Sequence, residues 1–147
     1  MSLLEHLSAK IGPRGSVLVW NKGFEMSRNK EMAGLHPMYA DFLNDLNERI
    51  YDLGDFINLG YYLHPGFKGS WSLKNVLPVM VPELSYEDLE IGKGDQAMMA
   101  WYEMVYGNLP QDEIEKTKED LLKYCELDTL GMVRIWEKLG ELVADSW

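Results

Sequence analysis

The sequence predicts a helix-rich α/β fold, and three observations indicate it. Residues 16–20 form one short apolar run of strand-forming side chains between Gly15 and Asn21, which is typical of a strand buried on both faces. Five or six other segments carry apolar residues at helical spacing. A chain of 147 residues with 46% hydrophobic and 26% charged content is long enough for one domain with one core, so we expect residues 1–147 to form a single unit.

The first half of the chain is predicted to be a helix, a strand and further helices. Apolar residues recur at helical spacing from Leu3 to Ile11, so we expect the chain to open in mid-helix without an N-terminal strand of its own. The strand is expected over residues 17–20. Helical patterns follow over residues 24–35 and again after Pro37, as two helices or one kinked helix. Residues 52–59 fit either a strand or a helix, and residues 60–69 have the composition of a loop.

The second half is predicted to be helical apart from its turns. A short helix capped by Ser70 or Ser72 should reach Pro78, and residues 85–88 resemble a capping sequence for one helical turn. An apolar helix is expected over residues 96–106. Its large side chains cover too much of the helix for one stripe, so we expect buried core rather than a partner groove for Met98, Met99, Trp101, Met104 and Val105. One or two long helices should fill residues 111–147.

Charge and cysteine content restrict the function classes. The formal net charge of −10 repels phosphate, which argues against a stand-alone nucleic-acid-binding module. It does not exclude a nuclease, because such active sites are clusters of acids that divalent cations neutralise. The lone Cys125 excludes an internal disulfide and a cysteine-rich zinc site. No segment has the length of a membrane span, so we expect a cytoplasmic protein that does not enter the membrane.

Two short segments carry the candidate chemistry. Residues 21–25 place Glu25 just past the carboxyl end of the strand, where open α/β sheets usually bind ligands. On the last helix, Tyr124 and Asp128 are four positions apart and therefore lie on one face. Taken singly, Glu25 fits an acid in the first turn of a helix, Asp128 a solvated helix residue and Tyr124 a core position with its hydroxyl at the edge. The three become informative only together.

Together these segments resemble the DnaQ-like, tyrosine-bearing 3'-5' exonucleases of the ribonuclease H-like fold. That superfamily has Asp-x-Glu on its first strand, Asn-x-x(x)-Phe/Tyr-Asp after a later strand and Tyr-x-x-x-Asp in its last helix; residues 21–25 and 124–128 resemble the second and third motifs. Residues 72–77 are similar to the Ser-Leu-x-x-Leu helix between them. More closely, residues 61–70 and 124–129 resemble a bacterial family of unknown function found C-terminal to RecB-like nuclease regions.

The resemblance implies an incomplete ribonuclease H-like fold that lacks its N-terminal strands. It implies that Asp128 ligates one Mg²⁺ or Mn²⁺, that Glu25 holds a second through water, and that Tyr124 orients the attacking water. Two departures matter. Glu25 replaces the usual Asp, and no Asp-x-Glu precedes Ser16, since the triplet at residues 88–90 follows the second motif and is expected to be a capping and surface feature. Two acids alone should bind Mg²⁺ weakly.

Further residues are candidates for substrate binding or for structure. Asn21, Lys68 and Lys74 are expected to contact a nucleic-acid strand, together with Tyr61, Tyr62 and Phe67, for which core packing is at least as compatible with the sequence. No pair of histidines has metal-ligand spacing, so the three are expected to be structural or surface residues: His6, His36 and His64.

The functional expectation is therefore part of a two-metal 3'-5' exonuclease that hydrolyses phosphodiester bonds in DNA or RNA and is inactive alone. The alternative is a non-catalytic interaction or scaffold domain with a degenerate exonuclease fold. In the intact protein the partners would be nucleic acid and a RecB-like nuclease region of the same chain. Without the first strands an edge or an apolar face would be uncovered, so this part of the protein is also expected to form a homo-oligomer.

Overall fold

A computed structural model describes residues 2–144 of the chain. The chain divides into two compact units, Met1–Tyr62 and Leu63–Trp147. Helices take up well over half of the described residues, whereas β1 (Val17–Val19) and β2 (Ile50–Asp52) are three residues each. The helix-rich α/β class is therefore confirmed. That residues 1–147 form one domain stays a prediction.

The first unit begins with α1 (Leu3–Lys10), which has a complete capping box. The Ser2 hydroxyl accepts from the Glu5 N–H at 3.3 Å, and the Glu5 carboxylate accepts from the Ser2 N–H at 2.6 Å. These two bonds satisfy donors that the start of a helix leaves free, so the helix begins at Leu3. The expectation that the chain opens in mid-helix is thus wrong, and the Ser-x-x-Glu pattern of residues 2–5 is the signal that marks this start.

The two strands pair in parallel, with Val17 opposite Ile50 and Val19 opposite Asp52. Parallel neighbours need a crossover connection, and helices supply it here. These are α2 (Lys22–Leu35), a 3-10 turn at Pro37–Tyr39 and α3 (Ala40–Arg49), which are two separate helices as one of the alternatives predicted. The segment that fitted both strand and helix contains both, since β2 ends at Asp52 and the four-residue α4 (Asp55–Asn58) follows.

One hydrophobic cluster of the first unit lies between α1, α2 and α3. Leu4, Leu43 and Leu46 are its buried side chains, and the more exposed residues that pack against them come from these helices and their ends, β1 and the turn before α3. The helical pattern after Pro37 is only partly a buried face, because Leu46 is buried whereas Met38 is exposed. The sheet is therefore supported by the helices of its own crossover.

The second unit is helical throughout its regular structure. It contains a 3-10 turn at Pro65–Phe67, α5 (Leu73–Met80), α6 (Gly94–Tyr106) and α7 (Gln111–Ala144). The end of the predicted last helix, residues 145–147, lies outside the described residues. Residues 85–88 form a turn instead of a helix, in which the Ser85 hydroxyl accepts from the Glu87 N–H at 3.1 Å.

Helix α5 packs on α7 where α7 carries a glycine. A Cβ on Gly131 would lie 3.0 Å from a methyl carbon of Leu77, and Leu77 is fully buried. The two helices can approach this closely because Gly131 has no side chain. Other buried residues of this unit are Phe67, Val76, Met80, Ile135 and Leu139. Of the aromatic residues considered for nucleic-acid contact, Phe67 is thus core and Tyr61 is exposed.

The apolar residues of α6 correct a prediction. Met98, Met99, Trp101 and Val105 are exposed, and Met104 is half-buried. They do not form buried core, because α6 turns its small residues, Ala97 and Ala100, toward the protein and its large residues toward solvent. The composition of the helix gives no indication of which side is covered.

Over residues 2–144, no helix is both long enough and apolar enough to cross a membrane.

Candidate functional site

The turn after β1 is organised by one buried acid, Asp52, at the end of β2. Its carboxylate accepts from the Asn21 N–H at 3.1 Å, the Lys22 N–H at 2.6 Å and the Gly54 N–H at 2.9 Å. Asp52 is only 7% exposed, so these bonds replace the water that the carboxylate loses. The carboxylate also lies at the N-terminus of α2, where the helix dipole favours negative charge. Asp52 therefore fixes the carboxyl ends of both strands and the start of α2.

Asn21 has a structural role at this turn. It adopts a left-handed conformation, with φ of 72°, and its side-chain oxygen accepts from the Phe24 N–H at 3.4 Å. Asparagine tolerates this region of φ better than most residues and is a good N-cap. Its predicted contact with substrate stays a prediction.

Glu25 lies in the first turn of α2, past the carboxyl end of β1, as the sequence predicts. Partial burial raises the pKa of its carboxyl above the ordinary value. Beside it in sequence, the Lys22 ammonium donates to Asp55 at 2.8 Å, and this hydrogen bond raises the pKa of Lys22. Glu25 is thus a half-buried acid at the position where an α/β sheet binds its ligand.

A second polar cluster lies within the second unit and joins Lys74, Tyr86, Tyr124 and Asp128. The Tyr86 hydroxyl donates a short hydrogen bond to Asp128. The rings of Tyr86 and Tyr124 are 6.0 Å apart between centroids. Lys74 of α5 places its ammonium 5.3 Å from the first ring and 5.2 Å from the second, and donates to the Gly92 carbonyl at 2.7 Å. Tyr124 and Asp128, which the sequence predicts to share one face of a helix, therefore belong to the same cluster.

Burial and the charge of Asp128 set the protonation of the two tyrosines. Burial and then Asp128 raise the pKa of Tyr124 to about 12, and the same two causes raise the pKa of Tyr86 further. Both phenols are therefore neutral hydrogen-bond donors at neutral pH. Burial lowers the pKa of Lys74, whereas Asp128 and Asp95 oppose that change. The cluster combines one carboxylate, one ammonium and two neutral hydroxyls.

The start of α6 closes the cluster on one side. A Cβ at Gly94 would lie 3.6 Å from the Tyr124 hydroxyl, so the backbone of α6 begins against that hydroxyl. The Gly92 carbonyl that binds Lys74 belongs to the same turn. Residues 92–94, at the start of α6, therefore form one wall of the cluster.

The donor set fits a hard divalent cation in kind but not in number. Carboxylate and hydroxyl oxygens are what Mg²⁺ and Mn²⁺ bind in proteins. Within residues 2–144, however, no three His, Cys, Asp or Glu side chains are close enough together to hold a metal ion. Asp128 supplies one charged ligand, so a bound cation would need further acids, and no chemical step through a metal can be derived from the described residues.

The other predicted residues are distributed over both units. Lys68 ends the 3-10 turn at Pro65–Phe67 in a left-handed conformation, with φ of 53°, and its side chain is exposed. Glu25 and Asn21 belong to the first unit, and Tyr124 and Asp128 to the second. That the carboxylates of Glu25 and Asp128 approach each other stays a prediction.

Two residues of these sites are not singled out by the sequence patterns. Tyr86 falls within a capping pattern, in a short Ser-Tyr-Glu-Asp turn. Asp52 falls at the start of the segment that fitted both strand and helix; an acid directly after an Ile-Tyr pair, before Leu-Gly, is compatible with the end of a strand. Asp52 could have been identified by recognising residues 50–52 as a second strand whose carboxyl end lies beside that of the first.

Two of the three histidines contact neighbouring backbone. A ring nitrogen of His6 lies 3.1 Å from the Ser2 carbonyl, and that of His64 accepts from the Gly66 N–H at 3.0 Å. Both arrangements are local turn or helix contacts. They agree with the structural role that the sequence predicts for these residues.

Comparisons with known proteins give relatives whose function is not described. Residues 1–72 match the sequence profile of a family described as Domain of unknown function (DUF2779). An uncharacterised protein of Ureaplasma parvum is 29% identical over an alignment that covers 89% of this chain and 21% of that protein. An uncharacterised protein of Mycoplasma genitalium is 28% identical, over 87% of this chain and 21% of that protein.

The chain spans about a fifth of the length of the curated relatives it matches. No solved structure matches it. The predicted resemblance to a bacterial domain family of unknown function is thus confirmed at that level: the chain is similar to uncharacterised Ureaplasma and Mycoplasma proteins and, over residues 1–72, to a domain family of unknown function.

Proposed function

We propose that the chain is part of a metal-dependent 3'-5' exonuclease with a DnaQ-like, incomplete ribonuclease H-like fold, and that it is inactive by itself. The observation that supports this best is the convergence of Tyr124 and Asp128 with Lys74 in one cluster. Lys74 is predicted to bind substrate from its place in the sequence, independently of the other two. Such a protein would act in the cytoplasm on DNA or RNA.

Each residue of the cluster has a role in this proposal. Asp128 would be a ligand of Mg²⁺ or Mn²⁺, which supply the charge that activates water and stabilises the leaving oxygen. Tyr124 stays protonated at neutral pH, so its hydroxyl can orient a water molecule by donating or accepting a hydrogen bond. Lys74 carries the positive charge that a phosphodiester requires. Glu25, half-buried after β1, would contribute the second acid.

The first unit has a surface suited to the bases of a single strand. The Tyr51 and Phe56 rings are 6.5 Å apart and the Phe56 and Tyr61 rings 6.3 Å apart, between centroids. Tyr51 and Tyr61 are exposed, and Lys22 lies close enough to Tyr51 for its charge to act on it. Aromatic rings beside a cation are the usual surface for stacked bases. The first unit also has six basic and eight acidic residues, so it repels phosphate less than the second, with eight and sixteen.

A non-catalytic interaction domain is the second candidate, and one observation favours it. The carboxylate of Asp128 already accepts from Tyr86, and Lys74 is bound to the Gly92 carbonyl. A fully satisfied polar cluster of this kind also stabilises a fold without any catalytic role. The two candidates differ in whether Asp128 is needed for cleavage or only for structure.

The test is cleavage by the full-length protein of which this sequence is a part. Single-stranded DNA and RNA labelled at the 5' end would be incubated with Mg²⁺ or Mn²⁺, and the products separated by size. We expect shortening from the 3' end, and a loss of more than about 100-fold in Asp128→Asn, because removing a ligand should cost at least as much as removing an outer-shell partner. The amide oxygen that this substitution introduces can still accept from Tyr86, so the fold should persist.

Glu126→Gln is the matched control, because Glu126 is an exposed acid on the same helix, two positions away. It should retain normal cleavage. If Asp128→Asn cleaves as fast as Glu126→Gln, Asp128 is not a metal ligand and the exonuclease proposal fails. Absence of cleavage in the normal full-length protein, with both metals and both substrates, would favour the interaction domain.

A further inference from the structure

Helix α6 presents an exposed apolar face that the proposed function does not use. Six large side chains on this helix are 47–66% exposed. They are Met98, Met99, Trp101, Tyr102, Val105 and Tyr106. Single exposed apolar residues are ordinary, whereas a contiguous group of this size marks an interaction site.

The six side chains share one side of the helix. Positions 98, 101, 102, 105 and 106 are linked by separations of three or four residues, and position 99 lies three before 102, so all six neighbour one another along the helix. The Tyr106 ring packs against those of Trp101 and Tyr102, with centroids 5.9 Å and 5.1 Å apart. The other side carries Ala97, Ala100 and Met104, which are half-buried, and α6 packs on α7. Helix α6 therefore packs within its own unit through the side that carries Ala97, Ala100 and Met104, and presents the six large side chains on the opposite side.

The area of this face is appropriate to a protein interface. Large aromatic side chains bury roughly 200 Å² each, and the three aromatic residues are about half exposed, so they present roughly 300 Å²; the two methionines and the valine, also about half exposed, bring the face to roughly 600 Å² at most. The largest apolar patch on a typical monomer is about 300–600 Å², and each partner of a standard interface contributes about 800 Å². The face is at the upper limit for a monomer, and a rim of neighbouring residues completes an interface. Methionine, tryptophan and tyrosine are also the residues that interfaces enrich.

Charge excludes nucleic acid and membrane surfaces as the occupant. Residues 94–106 contain no Lys or Arg and two acids, Asp95 and Glu103, and the second unit has sixteen acidic and eight basic residues. Nucleic acid and anionic lipid both require cations at the contact. An apolar surface without cations is complementary to another apolar surface, and the face itself is one.

We infer that this face of α6 binds the same face of a second copy of the chain, with the two α6 helices antiparallel about a two-fold axis. Asp95 is the acidic residue at the N-terminal end of the face, 11 positions before Tyr106 (106 − 95). A parallel pair would place the two Asp95 carboxylates side by side. An antiparallel pair sets Asp95 against the partner's C-terminal end and separates the two carboxylates by roughly 16 Å, which is beyond the Debye length of about 10 Å at 0.1 M salt. It also opposes the two helix dipoles.

Analytical ultracentrifugation of this chain between about 1 and 200 μM, a range that brackets typical micromolar dimers, measures the association. We expect a species of twice 17.0 kDa whose fraction rises with concentration. Association should strengthen when salt is raised, because each copy carries a net charge of −10 and salt screens the repulsion. Binding to nucleic acid would have the opposite salt dependence.

Trp101→Glu is the test variant, and it should raise the dissociation constant by at least about 30-fold, as expected for a central aromatic residue at an interface. Trp101 is half-exposed, so circular dichroism should show an unchanged helix content. Tyr61→Glu is the matched control, because Tyr61 is an exposed aromatic residue in the first unit; it should associate normally. A monomer at all concentrations, or equal association of both variants, would overturn the inference and leave another partner as the occupant.

The antiparallel orientation has its own readout. In a Cys125→Ser background, Tyr102→Cys places a thiol near the two-fold axis, and a short thiol-specific cross-linker should join it to its counterpart in the second copy. The thiol of Tyr106→Cys would be roughly 16 Å from its counterpart along the helix and should not be cross-linked. Cross-linking at Tyr106 but not at Tyr102 would show a parallel pair and refute this geometry.

Discussion

Removal of the Asp52 carboxylate should destabilise the first unit more than removal of any other single acid in it. Asp52→Ala leaves three backbone N–H groups without their acceptor: those of Asn21, Lys22 and Gly54. A buried donor without a partner costs about 1–3 kcal/mol. Gly54 is buried, whereas water can reach Asn21 and Lys22, so the cost for each of the latter two N–H groups should be near the lower end of this range. The lost charge at the start of α2 adds about 0.5 kcal/mol, so Asp52→Ala should lower the free energy of unfolding of the first unit by about 3–5 kcal/mol.

Asp52→Asn should be less severe and separates hydrogen bonding from charge. An amide oxygen in the place of Oδ1 still accepts from Asn21 and Gly54, but the amide nitrogen then faces the Lys22 N–H, donor against donor. We expect about half the loss of the alanine variant, roughly 2 kcal/mol. The order Asp52→Ala, Asp52→Asn, normal protein follows from the number of acceptors that remain.

Amide hydrogen exchange over α2 and β2 is the appropriate assay, because it reports the first unit separately from the second. The control is Asp55→Asn, which removes an acid three positions away whose partner is the exposed Lys22 ammonium. Since exposed ion pairs are screened by solvent, its effect should be small. Equal protection in Asp52→Ala and Asp55→Asn would refute the view that Asp52 fixes the start of α2, and with it the position of Glu25.

Two further predictions concern α7. Absorbance at alkaline pH should show Tyr124 ionising near pH 12, and Asp128→Asn should lower that value but leave it above the ordinary one of about 10, because burial is the largest cause. Since the folded-state pKa is the higher, Tyr124 stabilises the fold fully below pH ~10 and loses that contribution as pH rises toward 12; an unfolding free energy that is flat over this interval would contradict the shift. Gly140→Ala should raise the free energy of unfolding, measured in urea, by about 1 kcal/mol, because nothing lies within 4 Å of the added carbon. Gly131→Ala should not, since Leu77 is in the way and fully buried; equal gains would show that Leu77 can move.

The sequence predicts those elements whose pattern is local. The strand is confirmed over Val17–Val19, and α7 is confirmed as one long helix through Ala144. The first strand is a continuous apolar run of strand-forming residues between Gly15 and Asn21, and α7 has a long helical pattern with an acidic first turn. The second strand is ambiguous in the sequence because Ile50–Asp52 follows a helix directly, contains an acid and has no apolar run, so that its pairing with β1 identifies it. A long-range pairing of this kind has no local signature.

The error over α6 arises because the amount of apolar surface does not determine which surface is covered. The number of large residues alone predicts Met98 and Trp101 to be core, yet α6 is covered on its alanine side. The relation of Tyr86 to Asp128 escapes the sequence for a similar reason, since 42 positions separate the two and a turn, not a periodic element, brings the phenol to α7. Spacing identifies partners on one helix, as for Tyr124 and Asp128, but not partners across elements.

The two candidate acids are held in different ways, and this bears on the choice between enzyme and interaction domain. Glu25 is placed by backbone, through the turn that Asp52 fixes, and its raised pKa reflects burial alone. Asp128 is held by side chains, since the Tyr86 hydroxyl donates to it and the Lys74 charge acts on the same cluster. A divalent cation at Asp128 would therefore have to compete with a phenol that is neutral at all ordinary pH. Where several acids hold the cation together, the hydrogen bond from a phenol competes only weakly for one of their carboxylates. Where Asp128 is the single acid, the phenol competes effectively. The same hydrogen bond thus opposes tight metal binding by the isolated chain. It also leaves Asp128 positioned for metal once further acids of a longer protein are present. Cleavage must therefore be assayed in the full-length protein, and the fold can be studied in this chain.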